Sequence, residues 1–122
     1  MQDKGYIELL NEIKQNVVNS RIQAVKAVNS ELINLYWIIG KLILERQKEH
    51  GWGKSIVEKL SKDLQHEMPL QTGFSSRNLW DMRRLYERYQ NEPKLRQVVA
   101  EIPWGHHLLI LNKIDNTSNA PV

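Results

Sequence analysis

A chain of 122 residues, 41% apolar and 25% charged, is sized and composed for one folded domain with a real core; disorder is excluded on composition. It contains no cysteine, which excludes disulfide staples and thiolate metal sites and suits the cytosol. The net charge of +3 is unevenly spread: residues 1–50 carry 7 basic and 6 acidic side chains, residues 51–100 carry 9 and 6, and residues 101–122 carry 1 and 2. The basic excess therefore sits in the middle segment, as it would in an element facing nucleic acid.

No apolar run approaches the roughly 20 residues that cross a bilayer, and Met1-Gln2-Asp3-Lys4-Gly5 lacks the basic-then-apolar layout of a signal peptide. The expectation is a cytoplasmic protein with no membrane partner.

In chain order, Tyr6, Ile7, Leu10, Ile13 and Val17 recur at helical spacing between polar residues. Asn19-Ser20 can end that helix or cap another, and the pattern resumes at Ile22, Val25, Val28, Leu32, Leu35 and onward to about residue 48. No proline or glycine separates the two stretches, so one bent helix is the alternative to a pair. Residues 35–39, Leu-Tyr-Trp-Ile-Ile, are apolar on all sides, which predicts the centre of the core. Gly40 follows, and a glycine inside a helix suggests a neighbour approaching closely.

Gly51-Trp52-Gly53 ends the long segment, glycine tolerating the left-handed backbone past a helix end. Lys54-Ser55 opens a helix whose inner face is Ile56, Val57, Leu60 and Leu64, and Met68-Pro69 closes it. Ser75 is placed to cap the next helix, with Phe74 and Leu79 as a hydrophobic staple. Its inner face reads Leu79, Met82, Leu85, Tyr86 and Tyr89, and Asn91-Glu92-Pro93 stops it. A short helix over residues 94–101, with Leu95, Val98 and Val99 inward, ends at Pro103. Leu108-Leu109-Ile110-Leu111 is assigned to a last helix because everything upstream is helical. Almost nothing alternates with period two, so a sheet is not expected. The predicted fold is all-α: a compact helical domain, residues 1–115, in which a long N-terminal helix or helix pair packs on a helix-turn-helix-like unit. Residues 116–122 read as a disordered tail.

Within that unit, Arg77, Asp81, Arg84 and Arg88 fall along one helix face, with Asn78 beside Arg77 and Arg83 flanking the stripe. Arginine can fork onto guanine and asparagine onto adenine from the first turns of a helix in a major groove. Lys54, Lys59 and Lys62 on the preceding helix can hold phosphates. The alternative is a solvated face in which Asp81 pairs with Arg77 and Arg84. The connection of about eight residues, 68–75, is also longer than the three or four of an ordinary helix-turn-helix.

Catalytic and metal readings find little support. His106 and His107 are adjacent and diverge by ~100° on a helix, so they do not share an ion easily. Asp63, Glu67, Asp81 and Glu87 are scattered among basic partners rather than clustered for Mg²⁺. No catalytic residue, metal site or cofactor is expected.

Several segments taken in order carry a resemblance: Leu35-Tyr36-Trp37-Ile38-Ile39-Gly40, Gly51-Trp52-Gly53-Lys54, Leu60-Ser61-Lys62-Asp63-Leu64, Gly73-Phe74-Ser75-Ser76-Arg77-Asn78-Leu79, Met82-Arg83 with Tyr86, and Ile102-Pro103-Trp104-Gly105-His106. Together they resemble the N-terminal domain of the bacterial YhcG family, over nearly the whole chain, from about Tyr6 to about Asn112. No one of them is diagnostic; the ordered set is specific. The resemblance implies a helix-turn-helix-like module that binds DNA and supports oligomerisation, joined in the full-length protein to a C-terminal PDDEXK nuclease domain. The strand-borne Asp, Glu and Lys of that nuclease are missing from these residues, so the expected role is non-catalytic targeting to duplex DNA. The rival expectation is a protein-interaction or dimerisation module, in which the helix over residues 21–48 pairs with its twin through Trp37 and Leu35.

Overall fold

The computed structural model describes residues 4–118, and it resolves the choice between a helix pair and one long helix in favour of one. Helix α1 runs unbroken over Lys4–His50, followed by α2 (Ser55–Glu67), α3 (Ser76–Tyr89), a single 3-10 turn (Pro93–Leu95), α4 (Arg96–Glu101) and α5 (Trp104–Ser118). The fold is all-α. Asn19-Ser20 does not interrupt α1, and the amides around it bond along the helix. Gln15 Nε2 donates to Asn19 Oδ1 at 3.1 Å, one turn on, and Asn16 Nδ2 donates back to the Glu12 carbonyl at 3.1 Å.

The core forms where the C-terminal half of α1 crosses α3. Ile33, Tyr36, Ile43 and Leu44 of α1 meet Leu79, Met82 and Leu85 of α3, with Val57 of α2, Phe74, Val99 of α4 and Leu111 of α5 closing the sides. The 3.6-residue period explains the selection from α1, since Ile33, Tyr36, Gly40 and Leu44 share one face. Residues 35–39 are therefore only partly central. Tyr36 is buried and Trp37 half-buried, but Leu35 and Ile38 point to solvent. Trp37 is held within the fold, edge-on to Tyr86 at 5.1 Å, with the Arg96 guanidinium 4.4 Å above its ring. Leu95 and Val98 also face outward, and Val99 and Ala100 take the inward positions of α4.

Gly40 fits where the sequence suggested a close neighbour. A methyl group there would collide with the carbonyl of Met82, a backbone atom that no side-chain rotation can move aside. Gly51 ends α1 with φ +66°, and the Trp52 amide bonds back to the Gln47 carbonyl. Ser75 caps α3 as its sequence position suggests, its hydroxyl accepting from the Asn78 amide at 3.1 Å, with Phe74 and Leu79 both buried beside it. The tail expected over residues 116–122 falls partly on the last residues of α5, and 119–122 lie outside the described residues. Among the described residues, no helix is long and apolar enough to cross a membrane.

The N-terminal half of α1 leaves the core altogether. Every residue of 4–28 whose side chain is described is exposed, the apolar Tyr6, Leu10, Ile13 and Val17 included. Asn29 ties α1 to α4, its Nδ2 donating to the Ala100 carbonyl at 3.5 Å. Helix nucleation is the costly step, and this arm is spared it because it propagates from a half that is already packed.

The α1–α3 crossing gives a direct stability test. Gly40→Ala should lower the unfolding free energy by about 1–3 kcal/mol, the usual cost of overpacking, despite the better helix propensity of alanine. Urea denaturation followed by circular dichroism measures it; a neutral or stabilising result would show that the crossing relaxes without cost.

Candidate nucleic-acid interface

The side chains expected to meet DNA are sorted by the fold into those that hold it together and those that face solvent. Three of them belong to the first group. Asn78, three residues after the α3 cap, has both ends of its amide engaged: Nδ2 donates to the Gly73 carbonyl at 2.7 Å, and Oδ1 accepts from Trp104 Nε1 at 2.8 Å. It ties the α2–α3 connection to the start of α5. Arg84 reaches across to α5, donating to the Leu111 carbonyl at 3.0 Å, and pairs with Asp81 at 2.8 Å. Arg83 turns towards α1, its Nε donating to Gln47 Oε1 at 2.7 Å and its guanidinium lying 5.3 Å from the Trp80 ring centre.

The stripe Arg77, Asp81, Arg84, Arg88 is thus one face in register but not one continuous solvated surface. Asp81 is only 7% exposed, because α5 packs over the middle of the stripe. A carboxylate taken out of water needs a charged, hydrogen-bonded partner, and Arg84 supplies it. The salt-bridged alternative drawn from the sequence describes Asp81 with Arg84, but not with Arg77.

The ends of the stripe stay open. Arg77 is exposed in the first turn of α3 and makes no ion pair among the described residues. Arg88 is exposed in the last turn, 3.5 Å from Glu92 and 5.2 Å from the Tyr89 ring centre. Lys54, at the N-cap of α2, and Lys59 and Lys62 within it are all exposed. Lys59 pairs with Asp63 one turn on at 2.9 Å, and that hydrogen bond holds its ammonium above the usual lysine range. Five of these cations therefore face solvent, two of them in exposed ion pairs.

The long α2–α3 connection is a built element rather than a slack one. The buried Ser61 hydroxyl donates to the Phe74 carbonyl at 2.7 Å, and Gln65 Nε2 braces Ser61 Oγ at 2.8 Å. This bracing fixes where α3 begins, and with it Arg77. Neither it nor the Asn78–Trp104 bond has a sequence signature, since the partners lie 13 and 26 residues apart.

The histidines do other work. His106 is exposed, whereas His107 is fully buried, its Nε2 bonded to the Val99 carbonyl at 2.8 Å and its Nδ1 without a partner. A carbonyl only accepts, so Nε2 carries the proton. Among the described residues, no three His, Asp or Glu side chains come together as metal ligands would.

His107 makes stability depend on pH. Burial pushes its pKa below the ordinary 6.5, against the smaller upward pull of the Val99 bond, and the neighbouring His106 lowers it further. The unfolded chain then binds a proton that the folded chain refuses, so stability is complete above about pH 6.5 and declines as pH falls towards the folded value. The slope from this group is at most about 1.4 kcal/mol per pH unit. Urea midpoints between pH 8 and pH 5 should fall on acidification, and His107→Gln should remove that part of the fall; an unchanged pH profile in the variant would locate the proton elsewhere.

Comparison with known proteins places the chain. The family model described as the DUF1016 N-terminal domain matches residues 12–121. The Escherichia coli (strain K12) protein named "Putative nuclease YhcG" is 31% identical over 91 residues, which cover 71% of this chain but only 24% of that relative. No solved structure matches. The chain spans about a quarter of its relative's length, and it belongs to the YhcG family as a DUF1016 N-terminal domain.

Proposed function

We propose that this domain is a non-catalytic module that binds duplex DNA and brings a nuclease-type protein to it, the cutting chemistry residing in a separate C-terminal domain. The observation that carries the reading is the set of solvent-facing cations on α2 and α3: Lys54, Lys59, Lys62, Arg77 and Arg88. Family membership supports the nuclease association, since the relative is named a nuclease and extends far beyond the matched region.

The helix-turn-helix-like roles divide accordingly. The lysines of α2 take phosphates. Arg77 presents its guanidinium from the first turn of α3, where base edges or backbone oxygens are met. Arg88 contacts the backbone from the far end of the helix. Asn78, Arg83 and Arg84 contribute by holding α3 in place, each bonded to another element.

Anisotropy titration of a labelled duplex at low salt tests this. Five phosphate contacts predict a log–log salt slope of roughly −4.5. Arg77→Ala with Arg88→Ala should weaken binding at least about tenfold and flatten the slope by about 2. Asn78→Ala should instead act through stability, costing about 1–3 kcal/mol from the orphaned Trp104 N–H and lost Gly73 bond. Equal affinity of the wild type and the double alanine variant would overturn the assignment.

A further inference from the structure

Two unsatisfied apolar features lie on the same helix. One is the arm of α1, residues 4–28, whose described apolar side chains are all exposed. The other is an open groove of about 770 Å³ between the C-terminal half of α1 and α2, walled by Leu35, Ile39 and Leu42 on one side and by Ile56, Leu60 and Met68 on the other. The arm cannot fold back into its own molecule's groove without breaking α1, because the arm and one wall of the groove belong to the same unbroken helix. The arm of a second molecule has the apolar face that could fill it.

At 3.6 residues per turn, the outward residues of the arm and the α1 wall of the groove lie on one common face. Tyr6, Leu10, Ile13, Val17, Ala24 and Val28 continue in register into Leu35, Ile39 and Leu42. The face is self-complementary when reversed. An antiparallel pair centred on residue 26 sets Leu10 against Leu42, Ile13 against Ile39, Val17 against Leu35 and Ala24 against Val28. The two charged residues that interrupt the seam, Arg21 and Glu31, then fall opposite each other. Sliding by one turn in either direction puts Arg21 against Leu35 or Val28 instead. Both are exposed, and neither makes an ion pair among the described residues.

We infer that the partner of this surface is a second copy of the chain, paired antiparallel along α1, each arm lying in the other's groove. A two-fold axis closes the assembly, because the same two features meet twice. Exposed apolar surface of this extent marks an interaction face, and the charge register selects the twin over an unrelated helix. The inference does not rest on DNA binding and is tested without nucleic acid.

Sedimentation equilibrium of the 122-residue chain should show mass rising with concentration towards twice 14.4 kDa. Leu10→Glu with Val17→Glu should give a monomer whose core unfolds normally, since neither side chain touches the core. Arg21→Glu should raise the dissociation constant about tenfold, and adding Glu31→Arg to it should restore pairing. With no native cysteine, Val17→Cys chains mixed with Leu35→Cys chains should crosslink as heterodimers on oxidation. A wild-type monomer at every concentration would overturn the proposal and leave the face to a different protein. A dimer indifferent to Leu10→Glu/Val17→Glu would overturn it too, and Val17→Cys crosslinking to itself, or no rescue by Glu31→Arg, would overturn the antiparallel register.

Discussion

The close crossing of α1 over α3 at Gly40 is the constraint on which the rest of this fold depends. Met82 offers a backbone carbonyl where any side chain on residue 40 would stand. That contact sets the separation of the two helices, and with it whether Tyr36 and Ile43 can reach α3. The remaining elements are laid around this pair: α2 against one flank, and α4 and α5 against the other. A six-residue helix such as α4 has no stability of its own. It persists because Val99 and Ala100 are buried, and because Arg96 bonds Asn34 at 2.8 Å while covering the face of Trp37.

Polar groups inside the fold act as struts between elements that apolar contact alone would leave free to slide. Trp104 is the clearest case. Its ring lies edge-on to Tyr36 at 4.8 Å, and its N–H reaches Asn78. One side chain thus joins α5 to α1 by packing and to α3 by a directional bond. Arg84 makes a second strut from α3 to α5, and Ser61 a third from α2 to the connection that precedes α3. A hydrogen bond of this kind contributes about 1 kcal/mol net, but leaving one end orphaned in a dry site costs more. The struts therefore specify position as much as they stabilise.

Much of this was legible in the sequence, and the misses share a cause. The helical class, the breaks at Gly51, Pro69 and Pro93 and the Ser75 cap are local features, set by backbone chemistry within a few residues, while Gly40 signals a close neighbour without naming it. What periodicity cannot tell is whether an apolar face has anything to pack against. Tyr6, Leu10, Ile13 and Val17 carry the same spacing as Ile33, Tyr36 and Leu44, yet only the second set is buried. The same blindness applies to charge. Arg77, Arg84 and Arg88 share a face, but the position of α5 decides that Arg84 braces the fold while Arg77 and Arg88 stay in solvent. Bonds such as Asn78 to Trp104 join distant residues and leave no trace in spacing.

The two proposals bear on each other through simple electrostatics. A net charge of +3 and five solvent-facing cations are modest for a DNA-binding domain acting alone. Pairing along α1 doubles the number of phosphates one assembly can neutralise, and the second domain then binds from a tethered position rather than from bulk solution. Its contribution enters through effective concentration, which raises avidity without any new contact. The two proposals are therefore physically consistent with each other: under them specificity for the twin would reside in α1 and attraction to nucleic acid in α2 and α3, with the close crossing at Gly40 fixing the relation between them.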